Sequence, residues 1–176
     1  MKRFSDFIKT ALNESVTVYR GIPVAGQDKD RRITWVSTSK EHATMYSQAL
    51  TGNAYGGEVL KYRISGTLVP IDLGFRSADT FVTYEDIRGR IIDAILARFE
   101  KKRLTEARTL ELLDELRSLK LPGSNRVHTW MRNSKIVDVI EKAGFNCILQ
   151  HEGMQFDDGN IITYGLLDKS LLSLQR

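Results

Sequence analysis

The chain has 176 residues, 41% hydrophobic and 27% charged, a balance near that of soluble globular domains, and its length supports one buried core but not two ordinary domains. No apolar run approaches the roughly eighteen residues that span a bilayer, which argues against a membrane-spanning helix. A net charge of +4, from 26 Lys and Arg against 22 Asp and Glu, favours encounter with acidic partners, nucleic acid or protein, without naming one.

In chain order, Phe4, Phe7, Ile8, Ala11 and Leu12 follow the three-four spacing of one helix face, so residues 2–13 read as a short amphipathic helix. It carries too few apolar residues to favour a membrane-surface role, and packing on the core is its simplest use. Val16 to Arg20 alternates as a strand does, Gly26 to Asp30 is a loop, and Ile33 to Val36 is a second strand. Thr38 with Glu41 three residues later has the form of a capping box, opening a helix from Glu41 to Leu50. Glu58 to Ile64 and Thr67 to Leu73 read as strands separated by Ser65-Gly66.

The pattern then becomes helical. Ile87, Ile91, Ile92, Ile95, Leu96 and Phe99 mark one helix face, Leu110, Leu113 and Leu116 a second, and Leu121-Pro122-Gly123 stops the pair. This segment, about residues 80–130, reads as an insertion or a lobe. Its basic stretch from Arg88 to Arg108 is a candidate contact surface for nucleic acid, but Asp86, Asp93, Glu100 and Glu106 interleave it as on a solvated helix face. A further helix runs from Ser134 as N-cap through Ile136, Val137 and Ile140 to Gly144 as C-cap. Asn146 to Gln150 and Asn160 to Leu167 return to strands. Strands at both ends with helices between them predict an α+β fold.

Cys147 is the only cysteine and lies in an apolar run, so it reads as a buried, inert thiol suited to a reducing cytosol, with no partner for a disulfide within the chain. His42, His128 and His151 show no metal-ligand spacing with it, and no metal is expected.

Two short segments carry chemistry. Tyr19-Arg20-Gly21 ends the first strand and Ser37-Thr38-Ser39 ends the second. A guanidinium grips phosphate through parallel N–H bonds, and hydroxyls both donate to and accept from a sugar. A helix N-terminus after the hydroxyls adds attraction for an anion, so capping and nucleotide binding are compatible readings.

These segments, with Ala43 and Tyr46 in the following helix, resemble the ADP-ribosyltransferase superfamily, in which an arginine ends the first strand, Ser-Thr-Ser lies on a later strand and a catalytic carboxylate falls in the last third. Residues 134–174 resemble the closing part of that fold, and the likeness spans roughly 16–65 and 134–174. It implies one domain over residues 15–176 with a split β-sheet core, the helical segment being inserted. It also implies NAD as donor, Arg20 at the NAD phosphates or adenosine-side ribose, Ser37 at the nicotinamide ribose, and Thr38 and Ser39 stiffening their strand. Tyr19 and Gly21 would supply wall and close backbone approach. Tyr46 would stack on an aromatic ring or serve the core.

The family's glutamate stands at the start of the penultimate strand, where this chain has Thr163 or Tyr164. Upstream, Gln155-Phe156-Asp157 has the Gln-x-acid form, so Asp157 and then Glu152 are the carboxylate candidates, although Asp157 to Asn160 is also a good turn sequence. Met1 to Ile8 with Leu12-Asn13-Glu14 resembles the leader of internal head proteins of large tailed bacteriophages, cut after Glu14. That implies packaging in the phage head and action in the host bacterial cytoplasm on a host protein or nucleic acid. A catalytically inactive fold that binds a host defence protein, and a nucleic-acid binder acting through the basic helices, are the other functional expectations.

Overall fold

Alternating apolar and polar side chains make a strand half-buried, and six of the nine strands among the described residues overlap the segments expected to be strands. The computed structural model describes residues 16–22, 32–49, 57–74, 81–120, 124–126, 130–131, 134–152 and 161–175. The expected N-terminal helix and its cleavage point after Glu14, and the loop at residues 26–30, lie outside the described residues. In order the elements are β1 (Val16–Ile22), β2 (Thr34–Ser37), α1 (Lys40–Ala49), β3 (Glu58–Ile64), β4 (Pro70–Asp72), β5 (Phe81–Thr83) and α2 (Tyr84–Glu100). Then come α3 (Glu106–Ser118), β6 (Ser124–Arg126), α4 (Ser134–Lys142), β7 (Cys147–Glu152), β8 (Ile161–Leu166), a 3-10 turn (Lys169–Leu171) and β9 (Leu172–Leu174).

The fold is mixed α+β. Seven strands form one sheet in the order β4-β7-β8-β2-β1-β3-β9, and β5 and β6 form a separate pair. Among the described residues β4 and β7 run parallel and the other pairings are antiparallel. Along β1 and β3 every residue is in register, from Val16 opposite Ile64 to Ile22 opposite Glu58. Between β1 and β2 the register holds at one position, Tyr19 opposite Ser37. The sheet is therefore two well-paired halves joined at a single point.

Each face of the sheet carries its own buried cluster. On one face Val18, Val36, Ile64, Cys147, Leu149, Ile162, Tyr164 and Leu166 come together from both halves. On the other, Ile71 and Ile148 of the sheet pack with α2, α3 and α4 through Ile87, Ile91, Ile95, Leu112, Leu116, Ile136 and Ile140. Helices α2 and α3 are thus part of the main core rather than a detached lobe. The reason is the apolar face of α4: Ile136, Val137, Val139 and Ile140 are all buried, and a helix so covered needs partners on more than one side.

Local chemistry fixes the helix ends. Thr83 caps α2 by accepting from the Asp86 N–H while the Asp86 carboxylate accepts from the Thr83 N–H, a reciprocal capping box. Gly144, at φ 82°, closes α4 as expected, and the Arg98 guanidinium lies 5.0 Å over the Phe145 ring beside it. Ser134 is the first residue of α4 rather than its cap. Arg32 pairs with Asp138 and Glu141, and Lys142 with Glu115 at 2.7 Å, so charged pairs tie α4 to the chain before β2 and to α3.

Candidate functional site

The site begins where β2 runs out. Three consecutive hydroxyls there take three different partners. Ser37 Oγ accepts from the Ser39 N–H and lies 3.1 Å from His42 Nδ1. Thr38 Oγ1 accepts from the Ile162 N–H at 3.1 Å, while the Thr38 N–H donates to the Ile162 carbonyl at 3.0 Å. Ser39 Oγ accepts from the His42 N–H and donates to the Glu41 carboxylate. The cap of α1 is therefore Ser39 and not Thr38. The Thr38 hydroxyl is captured by β8, which extends the β2–β8 ladder one residue past Ser37.

His42 is the residue that sequence reasoning missed. It sits at the third position of α1, from which its ring returns to Ser37, and it is 6% exposed. Burial pushes its pKa below the ordinary value, which favours the neutral ring. Its ring meets Tyr46 edge-on with centroids 4.9 Å apart, so Tyr46, one turn further along an exposed helix face, is a partner of His42 rather than a core side chain. The available signal was the spacing: a histidine three residues after a serine cap lies over the strand end that precedes it.

Across the sheet, the pairings line up one row of side chains over four strands: Tyr19 opposite Ser37, Ser37 opposite Thr163, and Thr163 opposite Gln150. Directly opposed residues share a face, so this polar row lies on one side of the sheet. Ser37, Thr163 and Gln150 are all buried. Thr163 Oγ1 is buried with no hydrogen-bond partner among the described residues. The next row on the same face is apolar, with Trp35 packed on Gly165, where an added Cβ would meet its ring at 2.8 Å.

Arg20 follows Tyr19 and, by strand alternation, belongs to the face of Val18, opposite that of Ser37. It is half-buried and follows Tyr19, the residue of β1 that pairs with β2. Gly21 does permit a close approach, but the approaching group is α1: a Cβ there would stand 2.1 Å from the Ala43 carbonyl oxygen and 2.8 Å from the Ser47 nitrogen. Glu152 is the last residue of β7, in register with Ile161. Gln155 and Asp157 lie outside the described residues.

No family model, curated protein or solved structure matches the chain. Function therefore rests on what these residues can do.

Elsewhere, the basic stretch is largely engaged within the molecule. Arg88 pairs with Glu85 and lies 4.9 Å over the Tyr84 ring, Arg90 donates to the Leu73 carbonyl, and Arg108 pairs with Glu111 at 2.6 Å. Lys101, Lys102 and Arg103 remain exposed at the turn between α2 and α3. Among the described residues no helix is long and apolar enough to cross a membrane, and no cluster of His, Cys, Asp or Glu is arranged to hold a metal ion.

Proposed function

We propose that the protein is an NAD-dependent mono-ADP-ribosyltransferase that modifies a bacterial host macromolecule during phage infection, delivered from the phage head into the host cytoplasm. The observation that carries this reading is the register of three strands around Ser37. The strand bearing Arg20 lies on one side, and on the other lies β8, with Thr163 opposite Ser37 at the position where the resemblance expects an acid. The arginine strand and the serine strand are neighbours in one sheet and pair at a single position, Tyr19 opposite Ser37. Arg20 and Ser37 alternate to opposite faces of the sheet, so in this reading one ligand meets both only by passing round the end of β2.

In this reading Arg20 neutralises the NAD diphosphate and Ser37 orients the nicotinamide ribose. The glycosidic C–N bond breaks with its electron pair leaving on nicotinamide, and the ribose becomes positively charged. A carboxylate beside that charge lowers the barrier. The acceptor's lone pair then bonds to the same carbon, and its proton passes to a carboxylate or to solvent. Asp157, preceded by Gln155, and Glu152 are the residues proposed for the acid.

Labelled NAD incubated with the protein and a host lysate tests this. The expected result is label on a discrete macromolecule, lost in Arg20→Ala and reduced at least tenfold, about 1.4 kcal/mol of barrier, in Asp157→Ala or Glu152→Ala. Full transfer by the double carboxylate variant would remove both acids from the mechanism.

One observation favours a second reading. Thr163 stands where an acid is expected and cannot ionise, which suits a fold that binds and inhibits a host defence protein without catalysis. Inhibition that survives substitution of both Arg20 and Ser37 is the outcome that would select it.

A further inference from the structure

Helix α2 ends in a turn closed by two backbone bonds: the Arg103 N–H donates to the Arg98 carbonyl and the Lys102 N–H to the Phe99 carbonyl, each at 2.8 Å. Such a turn ordinarily has glycine at its left-handed position and an apolar contact beside its outer bond. Here the left-handed residue is Lys102, at φ 54°, the one non-glycine residue of positive φ among the described residues. The residues joined by the outer bond are Arg98 and Arg103, two like charges. Burial lowers the Arg98 pKa and the Arg103 charge lowers it further. Both departures cost local stability, and strain that the fold does not require points to a use.

The chain does not neutralise these charges itself. Elsewhere on α2 and α3 arginines meet an acid three residues away: Arg88 with Glu85, Arg108 with Glu111 and Arg117 with Asp114. Glu100 and Glu106 each stand three residues from Arg103, yet the turn interrupts the helical spacing. Among the described residues neither acid pairs with Arg98, Lys101, Lys102 or Arg103, and Arg98 Nε is buried without a partner. A helix dipole favours a cation at the C-terminus but does not call for two arginines side by side. Lys101, Lys102 and Arg103 are exposed, and Phe99 beside them is 40% exposed. An acidic protein would use the cations and leave the ring idle. A polynucleotide uses both, its phosphates meeting the cations and an unpaired base stacking on the ring. We infer that the turn between α2 and α3 binds single-stranded nucleic acid, with phosphates on Arg98, Lys101, Lys102 and Arg103 and a base on Phe99. This surface is independent of the transferase reading and needs no NAD.

Fluorescence anisotropy of a labelled oligothymidylate of about 15 nucleotides, titrated from about 50 to about 200 mM salt, reads the result, with thermal unfolding of each variant alongside. The parent should bind with a log–log salt slope of about −2 to −3, as three or four phosphate contacts give on a single strand. The triple variant Lys101→Gln, Lys102→Gln, Arg103→Gln should bind at least about tenfold more weakly and lose about 2 from that slope. Removing the same charge from exposed lysines elsewhere, by Lys61→Gln, Lys120→Gln and Lys169→Gln, should leave binding as in the parent. Phe99→Ala should weaken binding about fivefold or more with the slope unchanged. Lys102→Gly relieves the left-handed strain, so it should raise the unfolding midpoint while weakening binding, a split that a purely structural lysine would not produce. A parent that does not bind at the lowest salt overturns the inference, as does a triple variant that binds as well as the lysine control. If Phe99→Ala binds as the parent does, or polyglutamate displaces the probe as well as unlabelled oligothymidylate, the surface fits an acidic protein and the nucleic-acid assignment falls.

Discussion

At the scale of single residues, the site is a set of hydroxyls whose partners are decided within a few ångströms. Ser37, Thr38 and Ser39 are adjacent in sequence yet serve a histidine, a neighbouring strand and a helix cap respectively. His42 has a measurable signature. Its pKa is lowered from 6.5 by burial, so as pH falls the unfolded chain takes up the proton before the native chain does. His42 therefore contributes stability that is complete above its unfolded value and is lost as pH drops from there through the lower native value. Urea midpoints measured between pH about 7.5 and about 5.5 should fall more steeply for the parent than for His42→Gln; parallel curves would show that the imidazole takes up its proton equally in the native and unfolded chains. Cys147, almost fully buried, has its thiol pKa pushed upward by desolvation, and Tyr164 beside it is raised to about 12 first by burial and then by that cysteine. Both fit the inert-thiol reading of the apolar run.

At the scale of elements, the seating of α1 determines where Ser37 and His42 meet. The helix lies on β1 and the start of β3 at a distance only glycine allows. An added Cβ at Gly21 would stand 2.1 Å from the Ala43 carbonyl oxygen, and one at Gly57 would stand 2.3 Å from Ser47 Cβ. Because the atoms met at Gly21 belong to the helix backbone, no rotamer change relieves the clash. Gly21→Ala should therefore lower stability by about 1–3 kcal/mol and weaken any ligand that depends on the Ser37–His42 geometry. A denaturant midpoint unchanged by that substitution would show that α1 can lift from the sheet without loss. Gly21 thus has a structural duty that its place in a Tyr-Arg-Gly motif does not reveal.

For the whole molecule, one buried cluster runs from Ile71 and Ile148 of the sheet through α4 to α2 and α3. Folding should accordingly be a single cooperative event. Leu112, fully buried on α3, is a direct probe: Leu112→Ala should cost about 2–5 kcal/mol. Loss of far-ultraviolet circular dichroism and of tryptophan fluorescence, from Trp35 on the sheet and Trp130 in the helical layer, should coincide in parent and variant. Two separated transitions would mean that the helical pair folds on its own.

Periodicity located most of the elements but not β5, β6 or β9. The strand expected at Glu58 to Ile64 forms over those residues, the helix expected from Glu41 forms from Lys40, and the helical faces of residues 87–99 and 110–116 fall within α2 and α3. These are local properties, set by which side chains recur every two or every three to four residues. The α+β class followed from their order. What local pattern does not encode is which strand lies beside which. Thr38 and Ile162 are 124 residues apart and share two hydrogen bonds, and that pairing takes the threonine from the cap it resembles and sets Thr163 against Ser37. The pair β5–β6 and the joining of the helical segment to the main core were equally invisible, because each depends on a partner distant in sequence. The sequence by itself determined most of the strand and helix segments, the grouping of arginine and hydroxyls near two strand ends, and the lack of an acid at Thr163 or Tyr164. The tertiary structure alone decided that Ser37, His42 and Thr163 meet, because cross-strand register and helix seating arise from long-range packing rather than from neighbours along the chain.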